Sequence, residues 1–130
     1  MQEQEQTVKL SKLEVWDSEG EKFIEVDMEL TVNELVAAII ETSLGSETPS
    51  HALAHVLDYL GGGTKAYCSW GALCYKGDLE TLIRHSAQMW YYQRPERRIR
   101  LLSVVERWRE LEKKDWAAST AFGLFWPTHV

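Results

Sequence analysis

The side chains with most chemistry to offer are Trp90-Tyr91-Tyr92, followed by Arg94, Arg97, Arg98 and Arg100. Aromatic rings stack on bases and guanidinium groups bind phosphates, so this segment suits single-stranded nucleic acid. The same three residue types are those enriched where one protein grips another. A third use is internal, with the arginine forks paired to the chain's own acidic strands. Farther along, Phe122, Leu124, Phe125 and Trp126 make a tail too apolar to stand in water. It either folds back on the core or docks on a second copy as a homodimer contact.

Two smaller groupings hold nucleophile and ligand types. His51 and His55 stand one helical turn apart with Asp58 three further on, a spacing that brings all three near one face where zinc is a fitting ion. The same residues also read as a polar helix face opposite Leu53 and Leu57. The HExxH pattern is absent, and no metal is assigned. Cys68 and Cys74 flank Trp70-Gly71 with no basic neighbour to favour a thiolate, and a nucleophile pairing with His85 would need a proximity that the spacing does not supply. They read as small apolar side chains with free thiols. No phosphate loop, serine elbow, dinucleotide fingerprint or paired-carboxylate motif occurs, so no catalytic residue and no cofactor is assigned.

Charge is unevenly spread. Residues 1–60 carry 13 acidic and 3 basic side chains, whereas residues 61–130 carry 7 and 11, for a net −6. Such asymmetry steers partners of opposite sign or is neutralised within the fold. At 45% hydrophobic residues the chain has a globular composition, and its 130 residues suffice for one core. No apolar run approaches the roughly 18 residues of a membrane span. The polar stretch 1–6 lacks the features of a signal peptide and is expected to fray, leaving 7–130 as a single domain. The cytoplasm is the expected location.

Several elements must position these groups. Val8, Leu10, Leu13 and Val15 alternate with one slip that predicts a bulge at Ser11-Lys12. Asp17 to Gly20 is a turn in which Gly20 can take positive φ, and Ile24, Val26 and Met28 resume the alternation. Thr31-Val32-Asn33-Glu34 is a capping box that opens a helix over about 32–43, with Leu35, Val36, Ile39 and Ile40 as its stripe. Ser50 caps a second helix, 51–60, with Leu53, Val56, Leu57 and Leu60 inward, and Gly61-Gly62-Gly63 reads as a flexible joint. Residues 65–69 and 72–76 read as short strands, Gly77-Asp78 as a turn, and Leu79, Leu82 and Ile83 as the start of a helical piece. Residues 85–93 fit neither period, and Pro95 breaks a helix there. Ile99, Leu101 and Leu102 predict a strand, and Ser103 to Glu106 a capping box for a last helix through about Asp115.

In order, Val8–Met28, Thr31–Thr42, Tyr67–Leu73, Lys76–Leu82 and Arg98–Val104 resemble the ubiquitin-like β-grasp superfamily: hairpin, grasped helix, second hairpin, short turn and last strand. The resemblance implies an α+β fold with a β-grasp sheet, from which the chain departs by an inserted helix (46–63) and by a C-terminal helix plus aromatic tail. The chain ends Thr128-His129-Val130 rather than in a diglycine, so the implied function is that of a non-conjugating adaptor. The expected function is therefore a non-enzymatic protein–protein interaction module that binds through Trp90, Tyr91, Tyr92, Arg94, Arg97, Arg98, Arg100, Phe125 and Trp126. On this reading, Trp90→Ala with Arg98→Ala weakens binding while the fold persists. A variant is a small acidic inhibitor acting through residues 14–29. The alternative is single-stranded nucleic-acid binding through 90–109.

Overall fold

The first hairpin follows from strict alternation of apolar and polar residues. β1 (Thr7–Asp17) pairs antiparallel with β2 (Lys22–Thr31), bringing Val8 opposite Leu30, Leu10 opposite Met28, Leu13 opposite Val26 and Val15 opposite Ile24 on the inner face. The computed structural model describes residues 6–43, 47–67 and 76–114. The expected frayed stretch lies outside these except for Gln6, whose carbonyl accepts from Val32 N–H at 3.2 Å.

The expected bulge is present, as a register shift between Leu10 and Leu13 with Lys12 at φ 54°. Asp27 Oδ1 accepts from the Lys12 amide at 3.0 Å, tying the irregular turn to β2. The hairpin turn differs from expectation, since positive φ falls on Glu21 (51°) and not on Gly20. Gly20 instead provides room, because a Cβ there would lie 2.9 Å from Asp17 Oδ2.

α1 (Val32–Thr42) starts at the expected capping box, with Thr31 and Glu34 bonded reciprocally at 3.0 Å. All but four of its eleven residues are buried, which makes it the central helix of the core. Around it pack the hairpin, α2 (Pro49–Leu60), α3 (Leu79–Tyr91) and α4 (Pro95–Lys114).

α2 begins earlier than expected. Thr48 is the N-cap, accepting from His51 N–H at 3.2 Å, and Pro49 fills the first turn, so Ser50 lies inside the helix. Its inward face is also rotated. Ala52, His55 and Val56 are buried, while Leu57 and Leu60, expected inward, are exposed. Gly61 to Gly63 are a tight helix end and not a loose joint. Gly61 N–H donates to Leu57, Gly62 takes φ +91°, and Gly63 N–H donates to the Asp58 carbonyl at 2.8 Å.

β3 (Lys65–Tyr67) pairs antiparallel with β4 (Lys76–Asp78) as a separate two-stranded sheet. Residues 68–75, with both cysteines, lie outside the described residues. Gly77 belongs to β4, and Asp78 is the N-cap of α3, accepting from Glu80 N–H at 3.0 Å. α3 takes in residues 85–91 of the stretch without a clear period, burying Leu79, Ile83, Ala87 and Trp90.

The expected last strand, Arg98–Val104, is overturned, because these residues sit in the middle of α4. The expected break at Pro95 is present, since α3 ends at Tyr91 and Pro95 opens α4. The apolar run belongs to a 3.6-residue period in which Leu101, Val105 and Trp108 are buried and Ile99 is exposed. Ser103 therefore caps nothing, and its hydroxyl donates to the Arg100 carbonyl at 2.8 Å inside the helix. The architecture is α+β, with the aromatic tail outside the described residues. No helix among the described residues is long and apolar enough to cross a membrane.

Candidate functional site

The aromatic–arginine segment does not form one surface. Trp90 is 1% exposed and belongs to the core, so it is unavailable as a partner anchor, and its substitution is expected to destabilise the fold. Tyr91 is half-buried and packs edge-on to Tyr92 at 5.6 Å. Arg97 is committed inside the protein. Its Nε donates to Glu41 Oε2 at 2.6 Å, clamping the start of α4 to the end of α1. Arg98 donates through Nε to the Gln93 carbonyl at 3.1 Å. Farther along α4, Arg109 donates to Asn33 Oδ1 at 2.9 Å, so the two helices run antiparallel. Only Tyr92, Arg94 and Arg100 of the segment are exposed. Phe125 and Trp126 lie outside the described residues.

Tyr92 is drawn instead to the hairpin. Arg84 and Gln88 on α3 and its C-cap Tyr92, each four positions from the next, hydrogen-bond along the β1 edge that β2 leaves unpaired. Arg84 donates to the Ser11 and Lys12 carbonyls at 3.1 and 2.8 Å, and Gln88 donates to the Glu14 carbonyl at 2.7 Å. The Tyr92 hydroxyl accepts from Trp16 N–H at 2.6 Å. The helix thereby holds the hairpin's outer face rigid and sets Tyr92 beside it.

That outer face carries two exposed aromatic groups. Trp16 (42% exposed) and Phe23 (62%) stand opposite each other in the register and pack edge to face, with ring centroids 5.0 Å apart. The next outward pair along the strands is Glu14 opposite Glu25, two carboxylates in direct cross-strand register. Such a pair repels and lowers the stability of the hairpin. Residues 7–31 hold seven carboxylates against three lysines. The site is thus a pair of aromatic rings set in a field of negative charge.

A second grouping lies at the start of α2. Glu47, in the turn before α2, converges with His51 and His55. Its Oε1 is 3.4 Å from His51 Nδ1 and 3.5 Å from His55 Nε2, and the two imidazoles stack at 4.7 Å. Glu47 and His55 border a cavity of about 540 Å³ that His85 and Gln88 also line. The spacing of His51 and His55 points to this cluster, but its third member is Glu47 and not Asp58, which is exposed. A turn residue preceding the helix carries no periodic signal.

Comparison with protein-family models, with curated proteins and with solved structures finds no match to this chain.

Proposed function

We propose that the protein is a non-enzymatic interaction module, an adaptor or acidic inhibitor, whose outer hairpin face docks on a basic surface of a protein partner. The observation that carries this reading is the exposed Trp16–Phe23 pair beside the opposed Glu14 and Glu25. Aromatic anchors surrounded by charge make a docking face with a desolvated centre and a polar rim. The opposed carboxylates cost stability in the free protein, and a cationic partner turns that repulsion into attraction. Tyr92 extends the aromatic patch from α3.

The test is affinity capture from nuclease-treated extract of the native host, with the wild-type chain beside Trp16→Ala/Phe23→Ala and Glu14→Lys/Glu25→Lys. A protein held by the wild type is expected to be lost from both variants while their circular dichroism is unchanged. Each aromatic truncation is expected to cost about 2 kcal/mol or more of binding. Retention of the same protein by both variants would overturn the assignment of the face. Recovery of nothing but nucleic acid without nuclease would move the function to the arginines of α4.

A further inference from the structure

We propose that Glu47, His51 and His55 form a binding site for a divalent transition-metal ion, with zinc the best match to the ligand set. Two imidazoles and one carboxylate are ligand types that zinc takes in three-residue sites, where a fourth position stays open to solvent or another donor. The two distances from Glu47 match the spacing of ligand atoms around a metal, and the third pair, within 4.8 Å, closes by a small side-chain movement when the ion binds. Ligand atoms about 2.0–2.1 Å from a tetrahedral zinc stand about 3.3–3.4 Å from one another. The Glu47 carboxylate oxygen lies 3.4 and 3.5 Å from the two imidazole nitrogens, and the three ligand atoms lie within 4.8 Å of one another. A strong hydrogen bond from an imidazolium to a carboxylate would be nearer 2.7–2.9 Å.

The scaffold holds the ligands apart from any metal. Thr48 caps α2 and fixes the turn on which His51 stands. The Glu47 amide donates to the Ser43 hydroxyl at 3.2 Å, and that hydroxyl donates to the Ile40 carbonyl at 2.9 Å, so the carboxylate is anchored to the end of α1. His55 is only 7% exposed, and Glu47 is buried beside it. The cavity beside Glu47 and His55 leaves room for the fourth ligand, a water or a donor atom from a small molecule. The site lies in α2 and the turn before it, apart from the hairpin face, and does not depend on the reading given to that face.

The experiment uses the full chain without an affinity tag and with Cys68→Ser and Cys74→Ser, so that thiolates do not compete. Zinc is titrated by calorimetry, and cobalt is titrated in parallel to read coordination from its visible absorption. One equivalent of zinc and a tetrahedral cobalt spectrum are expected. Glu47→Gln and His55→Ala should each weaken zinc binding by more than about 100-fold, beyond the range that loss of an outer-shell partner produces. Asp58→Asn, the residue that the helical spacing alone would choose, should leave binding unchanged. His51 is half-exposed, and His51→Ala carries the same test if the His55 variant does not fold. No saturable zinc binding would overturn the proposal. Binding that survives both His51→Ala and Glu47→Gln would overturn it in favour of ligands elsewhere in the chain.

Discussion

Trp90 and Tyr92 are two positions apart and have opposite fates, and only helical phase separates them. Trp90 continues the buried series Ile83, Ala87, while Tyr92 continues Arg84, Gln88 along the strand edge. That phase is present in the sequence, but it becomes legible only when 79–91 is read as one helix. A run of aromatics beside arginines otherwise looks like a surface. Trp90→Ala is expected to lower unfolding stability by about 3–5 kcal/mol, seen as a lower urea midpoint at unchanged slope. Tyr59 makes a second test at this scale. Burial first, then the nearby Glu80 carboxylate, raises its phenol above the ordinary value of 10.0. The unfolded chain therefore ionises first, and the Tyr59 contribution to stability, complete below pH 10, is lost as pH rises from there through the folded value. Tyr59→Phe should show a shallower alkaline loss of stability than the wild type in paired denaturant titrations.

At the scale of elements, local signals were the readable ones. The capping box of α1, the bulge in β1 and the alternation of the hairpin are each written within a few residues, and the structure has all three. The strand expected over Arg98–Val104 is a helix in the structure, and Ile99, Leu101 and Leu102 form an apolar run too short to tell strand from buried helix by period alone. Only the later positions Val105 and Trp108 complete the helical stripe. The rotated face of α2 was hidden for a different reason. Leucine at 57 and 60 invites burial, yet the packing buries Ala52, His55 and Val56, and nothing local weighs against the leucines. The union of α3 with β1 was not legible at all, since its bonds join residues more than seventy positions apart. Arg84→Ala should destabilise by about 1.5–3 kcal/mol, because a charged donor leaves two bulge carbonyls. Gly62→Ala should cost about 1 kcal/mol through its φ of +91°, although no atom lies within 4 Å of the new Cβ. Both are read as shifts in denaturant midpoint.

For the molecule as a whole, the uneven charge has two destinations. Part is spent internally, where Arg97 from the basic half clamps Glu41 from the acidic half. The rest remains on the hairpin, whose carboxylates face outward from a helix-braced sheet. Association with a basic partner should accordingly slow as salt rises, with a smaller change in dissociation, when both rates are followed by surface-based kinetics. The bracing of β1 also has an order in time. β1 ends at Asp17, and its second set of partners begins only at Arg84. At translation speeds of about 5–20 residues per second, those 67 positions keep the edge waiting for roughly 3–13 s after β1 is made. Neighbouring ribosomes on one message would hold identical bare edges close together during that interval, an invitation to strand exchange between nascent chains. Outward carboxylates in cross-strand register repel such copies, so the negative face serves the newborn chain before any partner meets it.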